Sequence, residues 1–280
     1  MGINSIKGNL TKEDIISDIK LTLSADIKKE KVILIVEGQD DFKLLRKLVN
    51  NNVDIIESFS GKDGIKEIIE QYFNNEIRVI GVRDKDYATN QVHDKIFFYD
   101  YCCWEMMAIS YEELFNNIYC EYYISGSLNY NELLGTLLNK VRHISLFRKY
   151  NEENGLGINF KGISMCNIIE DSRTSFDKLM DEIKKKNPRW TDEKLKVKFK
   201  DVIEKLSQEC TIKGLLDTTQ GHDFIGMFQH YCKKDKGKDI TKDDISASLR
   251  CTFRKYHFKQ TNLYKTLSTY EDISKLKIIS

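Results

Sequence analysis

Three acidic residues follow two apolar segments that have the composition of buried β-strands. Glu37 comes directly after "KVILIV", while Asp84 and Asp86 follow "IRVIGV". The carboxyl ends of parallel strands meet at one edge of a sheet, so we expect these carboxylates to lie together there. Residues two apart on an extended segment point to the same side, which predicts that Asp84 and Asp86 converge.

Carboxylates gathered at one spot repel each other unless a positive charge lies among them. Their oxygens suit Mg²⁺ or Mn²⁺, and two such ions about 4 Å apart can hold a phosphodiester and activate a water. Asp41, one helical turn after Glu37, is a further candidate ligand. The alternative is that these acids only fill turns and begin helices, with Asp40 or Asp41 as a helix cap.

The elements that must position these acids alternate along the chain. Strands are predicted at "KVILIV", "VDIIES", "IRVIGV" and "KIFFYD", and helices at "DDFKLLRKLV" and "GKDGIKEIIEQYF" lie between the first three. This order predicts an α/β fold with a mostly parallel sheet flanked by helices. A further helix is expected over Leu10–Lys29, with Thr11 and Asp14 as its capping pair.

The sequence after the fourth predicted strand has mainly helical periodicity. We therefore predict an N-terminal helix over residues 1–30, an α/β domain over 31–118 and a mainly helical domain over 119–280. Within the last, "LGINFKGIS" is expected to form a short strand or an extended connection.

The composition restricts where the protein works and what it binds. The 280 residues include 44 basic and 43 acidic side chains, so only a local patch could attract nucleic acid strongly. The seven cysteines form no CxxC pair, which predicts free thiols in a reducing cytoplasm. No segment reaches the ~18 apolar residues of a membrane span, so we expect no membrane association.

Glu37-Gly38 after one strand and Asp84-Lys85-Asp86 after another resemble the pattern of the TOPRIM domain, over about residues 31–100. A closer resemblance, carried by "VEGQDD", "SGKDGIKEI", "GVRDKDY", "YDYCCWEMM" and "QGHDFIGMF", extends beyond this domain. This closer resemblance is to a family of TOPRIM nucleases that have a helical C-terminal region and occur in bacterial anti-phage loci. The effector AriB of the PARIS system belongs to that family.

This resemblance implies a Mg²⁺-dependent endonuclease that acts as a toxin in abortive infection. Such effectors are held by a partner ABC-type ATPase and, once released, are implicated in cutting host transfer RNA. The resemblance also admits a homodimer as the active form. It implies Glu37, Asp84 and Asp86 as catalytic metal ligands, with Asp41 and Glu105 as further ligands.

Lys85, between the two aspartates, is a candidate phosphate contact, and a solvated lysine is the alternative. In "GHDF", His222 is a candidate acid or base near the scissile phosphate. The structural alternative is a turn at Gly221 with Asp223 as the N-cap of a helix.

A basic segment follows, in which cations alternate with aromatic residues. Bases unstacked from RNA can lie on aromatic rings while cations meet phosphates. A helix with an aromatic core face and a solvated basic face is the alternative. The candidate nucleic-acid contacts are Arg250, Arg254, Lys255 and Lys259, interleaved with Phe253, Tyr256, His257 and Phe258.

Two other functions stay open from the sequence. One is a housekeeping RNA-processing nuclease, like the TOPRIM maturases of ribosomal RNA. The other is a non-catalytic module that docks on an ATPase and keeps the acidic cluster as a regulatory ion site. The sequence also leaves open whether DNA or RNA is the substrate.

Overall fold

The structure is a computed structural model that describes residues 11–124, 126–170, 173–174, 176–206, 210–236 and 240–280. The chain divides into two units. Met1–Asp100 and Phe253–Ser280 form the first, called here the sheet unit, and Tyr101–Thr252 form the second, called the helical unit.

The sheet unit contains four parallel strands, β1 (Val32–Val36), β2 (Val53–Glu57), β3 (Val79–Arg83) and β4 (Ile96–Phe98). Their order in the sheet is β2-β1-β3-β4. All five residues of β1 are fully buried, as expected for a central strand covered on both faces. These strands match the four predicted apolar segments, and the predicted α/β class is confirmed.

The helices are numbered along the chain as α1 (Lys12–Ala25), α2 (Gln39–Leu45), α3 (Gly61–Glu67), α4 (Trp104–Ile109), α5 (Glu112–Tyr122), α6 (Tyr130–Glu153), α7 (Phe176–Lys186), α8 (Asp192–Leu206), α9 (Ile212–Leu216), α10 (Gly221–Lys236), α11 (Lys242–Thr252), α12 (Lys255–Phe258) and α13 (Asn262–Ser274). Helix α3 continues as a π-helical turn over Ile68–Tyr72, and Met165–Asn167 form a 3-10 turn.

Helix α1 begins as its sequence predicts. Thr11 Oγ1 accepts a hydrogen bond from Asp14 N at 3.2 Å, and Asp14 Oδ2 accepts one from Thr11 N at 2.8 Å. Its buried residues pack on the sheet, in one core cluster with Ile33 and Ile35 of β1; they are Ile15, Ile16, Ile19 and Leu23. The helix ends at Ala25, short of the predicted Lys29, and Ile27 beyond it is 92% exposed.

The C-terminal segment of the chain belongs to the sheet unit. The Tyr270 hydroxyl on α13 donates to Ile77 O at 2.8 Å, and its ring meets Phe97 of β4 edge to face. This division differs from the predicted boundaries, because residues 101–118 lie in the helical unit and 253–280 lie in the sheet unit. Contacts between residues so distant in sequence leave no periodic pattern that would reveal them.

The helical unit has an aromatic core. The Phe147 and Phe199 rings stack at 4.1 Å, and Phe115 packs against Phe224 and Phe228. The segment 156–164, expected to be a strand or an extended connection, contains no strand. A two-stranded antiparallel ladder, β5 (Ile169–Glu170) with β6 (Arg173–Thr174), lies just after it.

Within the described ranges, no helix has the length and apolar composition needed to cross a bilayer.

Close packing around Gly81 predicts that this glycine is sensitive to substitution. A Cβ at Gly81 of β3 would lie 2.5 Å from Ile65 Cγ2 and 2.9 Å from Ile69 Cδ1, and both isoleucines are fully buried. We expect Gly81→Ala to lower the free energy of unfolding by about 1–3 kcal/mol, measured by urea denaturation.

The control for this prediction is Gly135→Ala on α6. Nothing lies within 4 Å of the Cβ position at Gly135, and alanine favours helix over glycine. We expect this variant to be as stable as the wild type or more so. Equal losses in the two variants would contradict the packing argument.

Candidate active site

The carboxyl ends of the four parallel strands meet at one edge of the sheet. The strand order reverses between β1 and β3, because β2 lies on one side of β1 while β3 and β4 lie on the other. Such a reversal opens a crevice where α/β proteins place their ligands. Glu37 follows β1 and Asp84 follows β3, so both acids lie at this crevice.

Glu37 and Asp84 are joined directly. Glu37 Oε1 accepts a hydrogen bond from Asp84 N at 2.8 Å. Burial raises the pKa of the Glu37 carboxyl above its usual range, the Asp84 N–H opposes this rise, and the Asp86 carboxylate adds to it. The positive charges of Arg83 and Lys62 also lower this pKa.

Asp86 does not reach the site by strand alternation. Strand β3 ends at Arg83, and Asp86 lies in a turn with φ +48°, closed by Ala88 N donating to Lys85 O at 3.0 Å. The expected same-side arrangement of the two aspartates assumed an extended segment, and that assumption fails here. The Asp86 carboxylate instead accepts a hydrogen bond from Lys62 Nζ at 2.9 Å.

Asp41 organises the start of α2. Its Oδ2 accepts a hydrogen bond from Gly38 N at 3.1 Å, three residues earlier, and the residue is only 7% exposed. This is the bond that a third-position acid makes to a helix cap, so Asp41 has a structural role whether or not it meets a metal. Gly38, rather than Asp40 or Asp41, is the N-cap.

Two site residues were missed from the sequence. Lys62 lies in the first turn of α3, in "SGKDG" after β2, and Tyr99 directly follows β4. Tyr99 is buried, and its pKa is raised well above the usual value by burial and by the carboxylates of Asp41, Asp84 and Glu37. Both positions follow a strand at the same edge of the sheet, and this placement was the available indication.

The acids fit a hard divalent cation by their chemistry, since all their donors are oxygens and burial destabilises the Glu37 charge. Their geometry is less complete. Within the described part of the chain, no group of three or more His, Cys, Asp or Glu side chains is arranged to hold a metal ion. In the structure, the Asp86 carboxylate is bound by the Lys62 ammonium.

Glu105 lies on α4 in the helical unit. Its carboxylate lies next to Gly221, in the first turn of α10. A Cβ at Gly221 would overlap the Glu105 carboxylate, so only glycine allows this approach. The positive end of the α10 dipole favours a carboxylate there.

His222 lies in the same first turn of α10. Its Nε2 lies 3.2 Å from both Asp223 Oδ1 and Arg148 Nη2. Burial acts to raise the pKa of the Asp223 carboxyl, but the hydrogen bond from His222 and the charge of Arg148 outweigh it, and the pKa is lowered. Because α10 begins at Gly221, Asp223 is its third residue rather than the expected N-cap.

The structure separates the four basic candidates. Arg250, on α11 of the helical unit, is 8% exposed and its guanidinium lies 5.8 Å from the centre of the Trp104 ring. Arg254, Lys255 and Lys259 belong to the sheet unit and are exposed. Because Arg250 is buried, it does not belong with the exposed cations Arg254, Lys255 and Lys259.

Lys85 is half-buried in the turn after β3, next to the acids. Its carbonyl oxygen closes that turn by accepting from Ala88 N.

A comparison of the chain with models of known protein families finds no match, and a comparison with curated proteins also finds none.

The raised pKa of Glu37 predicts a pH dependence of stability. A carboxyl with a raised folded-state pKa contributes stability below its unfolded-state pKa, near pH 4, and loses it as the pH rises through the folded-state pKa. The difference in unfolding free energy, wild type minus Glu37→Gln, should therefore fall from about pH 4 upward. Urea denaturation in EDTA from pH 4 to 8 measures it, and a difference that rises with pH would contradict the prediction.

Proposed function

We propose that this protein is a Mg²⁺-dependent endonuclease with a TOPRIM-type site in its sheet unit. The observation that carries this proposal is the hydrogen bond between Asp84 N and Glu37 at the crevice between β1 and β3, with Asp86 close enough to raise the Glu37 pKa. Acids with only oxygen donors, at the position where α/β sheets bind ligands, suit metal-assisted phosphodiester hydrolysis.

Glu37, Asp84 and Asp86 would hold the metal, and Asp41 would add to the negative charge around it. Bound there, Mg²⁺ supplies positive charge that activates a water and stabilises the leaving oxygen. The chain's own residues position the acids. Asp84 N fixes one oxygen of Glu37, and Arg83 Nε donates to Asp84 O at 3.2 Å, which holds the backbone at the end of β3.

In this proposal, Lys62 pairs with Asp86 in the free protein and binds a phosphate of the substrate. Its ammonium neutralises Asp86 in the structure, 2.9 Å from the carboxylate oxygen. If Asp86 held a metal, the Lys62 ammonium would be available to a phosphate oxygen of the substrate. Lysine is suited to this exchange because its charge is compact and its stem is flexible.

The substrate and the biological role follow from the family resemblance. We propose transfer RNA as the substrate and an anti-phage toxin as the role, with release from a partner ABC-type ATPase as in AriB and its relatives. A homodimer is the proposed active form. This proposal includes Glu105 as a metal ligand and His222 as an acid or base. The family resemblance and their positions in the sequence are the only reasons to include them.

A non-catalytic module that docks on an ATPase is the second candidate. The observation in its favour is that the described acids are not arranged as a complete ligand group. This candidate predicts that the purified chain binds Mn²⁺ weakly and cleaves no nucleic acid.

Isosteric substitutions test the nuclease proposal. Glu37→Gln and Asp84→Asn each remove a charge and keep the shape, so we expect cleavage of transfer RNA with Mg²⁺ to fall by more than about 100-fold. Mn²⁺ binding, measured by electron paramagnetic resonance, should weaken in both variants.

Asp40→Asn is the matched control, because Asp40 stands next to Asp41 but is not among the proposed ligands. It should cleave within about threefold of the wild-type rate. Wild-type cleavage by either Glu37→Gln or Asp84→Asn would exclude the proposed site. A toxic wild type and a harmless Glu37→Gln chain in cells would support the defence role.

Lys62→Gln tests the role of the ammonium. We expect the cleavage rate to fall by about 10- to 100-fold, because the phosphate loses its cation. Mn²⁺ should bind as tightly as in the wild type or more tightly, since one cation that competes for Asp86 is removed. Lys66→Gln, an exposed lysine in the same helix α3, is the control. Unchanged cleavage, or loss of Mn²⁺ binding, would contradict the proposed exchange.

A further inference from the structure

One stretch of the chain departs from its near-neutral charge. Between Ile245 and Tyr270 the sequence has no Asp or Glu, although acids make up 43 of the 280 residues. The cations of this stretch that lie in the sheet unit are exposed, and they are Arg254, Lys255, Lys259 and Lys265. A local positive surface of this kind favours a polyanion.

An exposed aromatic ring lies among these cations. Tyr256 is 49% exposed, and its ring centre lies 3.8 Å from that of His257. His257 is itself 2% exposed and stacks on the buried Phe253. The tyrosine ring therefore packs on core residues, and about half of the side chain is exposed to solvent.

The expected alternative, an aromatic core face with a solvated basic face, is correct for part of this segment. Phe253, His257 and Phe258 are buried, as that alternative requires. Tyr256 departs from it, because a tyrosine that served only the core would not leave half of its surface in water. The exposed residues of this segment thus include both cations and an aromatic ring.

This surface is anchored at the edge of the sheet that carries the acids. Asp100 comes directly after Tyr99, whose pKa the site carboxylates raise. The Asp100 carboxylate accepts hydrogen bonds from Asn262 N at 2.9 Å and Leu263 N at 3.0 Å, at the start of α13. The segment 254–259 immediately precedes this attachment point, within the same unit as the acids.

We propose that residues 254–259 bind unpaired nucleotides of the strand that the carboxylate site cleaves. Lys255 and Lys259, one helical turn apart, contact successive phosphates, and a base stacks on Tyr256. This assignment rests on the proposed nuclease function and names the feature that the substrate must present, a single-stranded segment next to the scissile bond.

Binding is measured apart from cleavage, with full-length Glu37→Gln protein in EDTA and a fluorescein-labelled 12-mer of uridine. The matching thymidine 12-mer distinguishes RNA from DNA as the source of the same backbone chemistry. A 12-base-pair RNA duplex tests the requirement for unpaired bases, and we expect it to bind at least about tenfold more weakly than the uridine 12-mer.

The proposed contact of the two lysines with phosphates is tested with the double variant Lys255→Gln/Lys259→Gln. We expect affinity at 50 mM salt to fall by about tenfold or more, and the slope of log affinity against log salt to decrease by about 0.7 for each phosphate that is no longer neutralised. Lys20→Gln/Lys28→Gln removes the same charge from exposed positions elsewhere in the sheet unit and should leave both quantities unchanged.

The stacking step is tested with Tyr256→Ala, which should weaken binding by about 5- to 150-fold and leave the salt slope unchanged. Tyr256→Phe keeps the ring and should bind like the parent. Tyr256→Leu keeps an apolar side chain against His257 but cannot stack, so it decides this step if the alanine variant lowers the thermal midpoint.

Equal losses of affinity in the two double-lysine variants, or parental binding by Tyr256→Leu, would overturn the assignment. So would a uridine 12-mer that does not bind, which would leave this surface to an acidic protein partner. The proposed function fails separately: if the wild type cleaves no transfer RNA while the binding results hold, the nuclease proposal falls and residues 254–259 remain a site for single-stranded nucleic acid that is not a substrate. If it cleaves and the surface variants bind like their parent, only this inference falls.

Discussion

The pairing of β1 with β2 on one side and β3 on the other constrains everything near the candidate site. Residues 32–36 are all fully buried between the charged residues Lys31 and Glu37, so a shift in register would carry one of these charges into the core. The position of Glu37, the next residue, at the edge of the sheet is therefore fixed by the strand. There the amide of Asp84, at the end of the neighbouring strand, binds its carboxylate. The close fit of Gly81 against α3 keeps the two strands and this helix in one arrangement.

The cost of this arrangement is electrostatic. Glu37 is partly buried, its pKa is raised, and the carboxylates around it also raise the pKa of Tyr99. The compensation comes from Arg83, Lys62 and the Asp84 amide, which favour the charged form of Glu37. A site that its own chain neutralises only in part is suited to take up a further cation, and the proposed metal chemistry uses that deficit.

The sheet unit is completed by the end of the chain. Helix α13 covers β4 through Tyr270, and Asp100 satisfies backbone N–H groups at the start of that helix. This attachment brings the exposed cations around Tyr256 into the unit that carries the acids. A contact made for stability thus also determines where the proposed nucleic-acid surface lies.

The strands and the positions of Glu37 and Asp84 after two of them could be predicted from the sequence, because hydrophobic period and strand-end position are local properties of a chain. The capping of α1 by Thr11 and Asp14 was also predictable, since that motif spans only four residues. The partners of these residues depend on the tertiary structure. The bond between Asp86 and Lys62 and the return of residues 253–280 to the sheet unit require approaches between residues far apart in sequence. Packing of the whole unit sets those approaches, and no periodic pattern in the sequence encodes them.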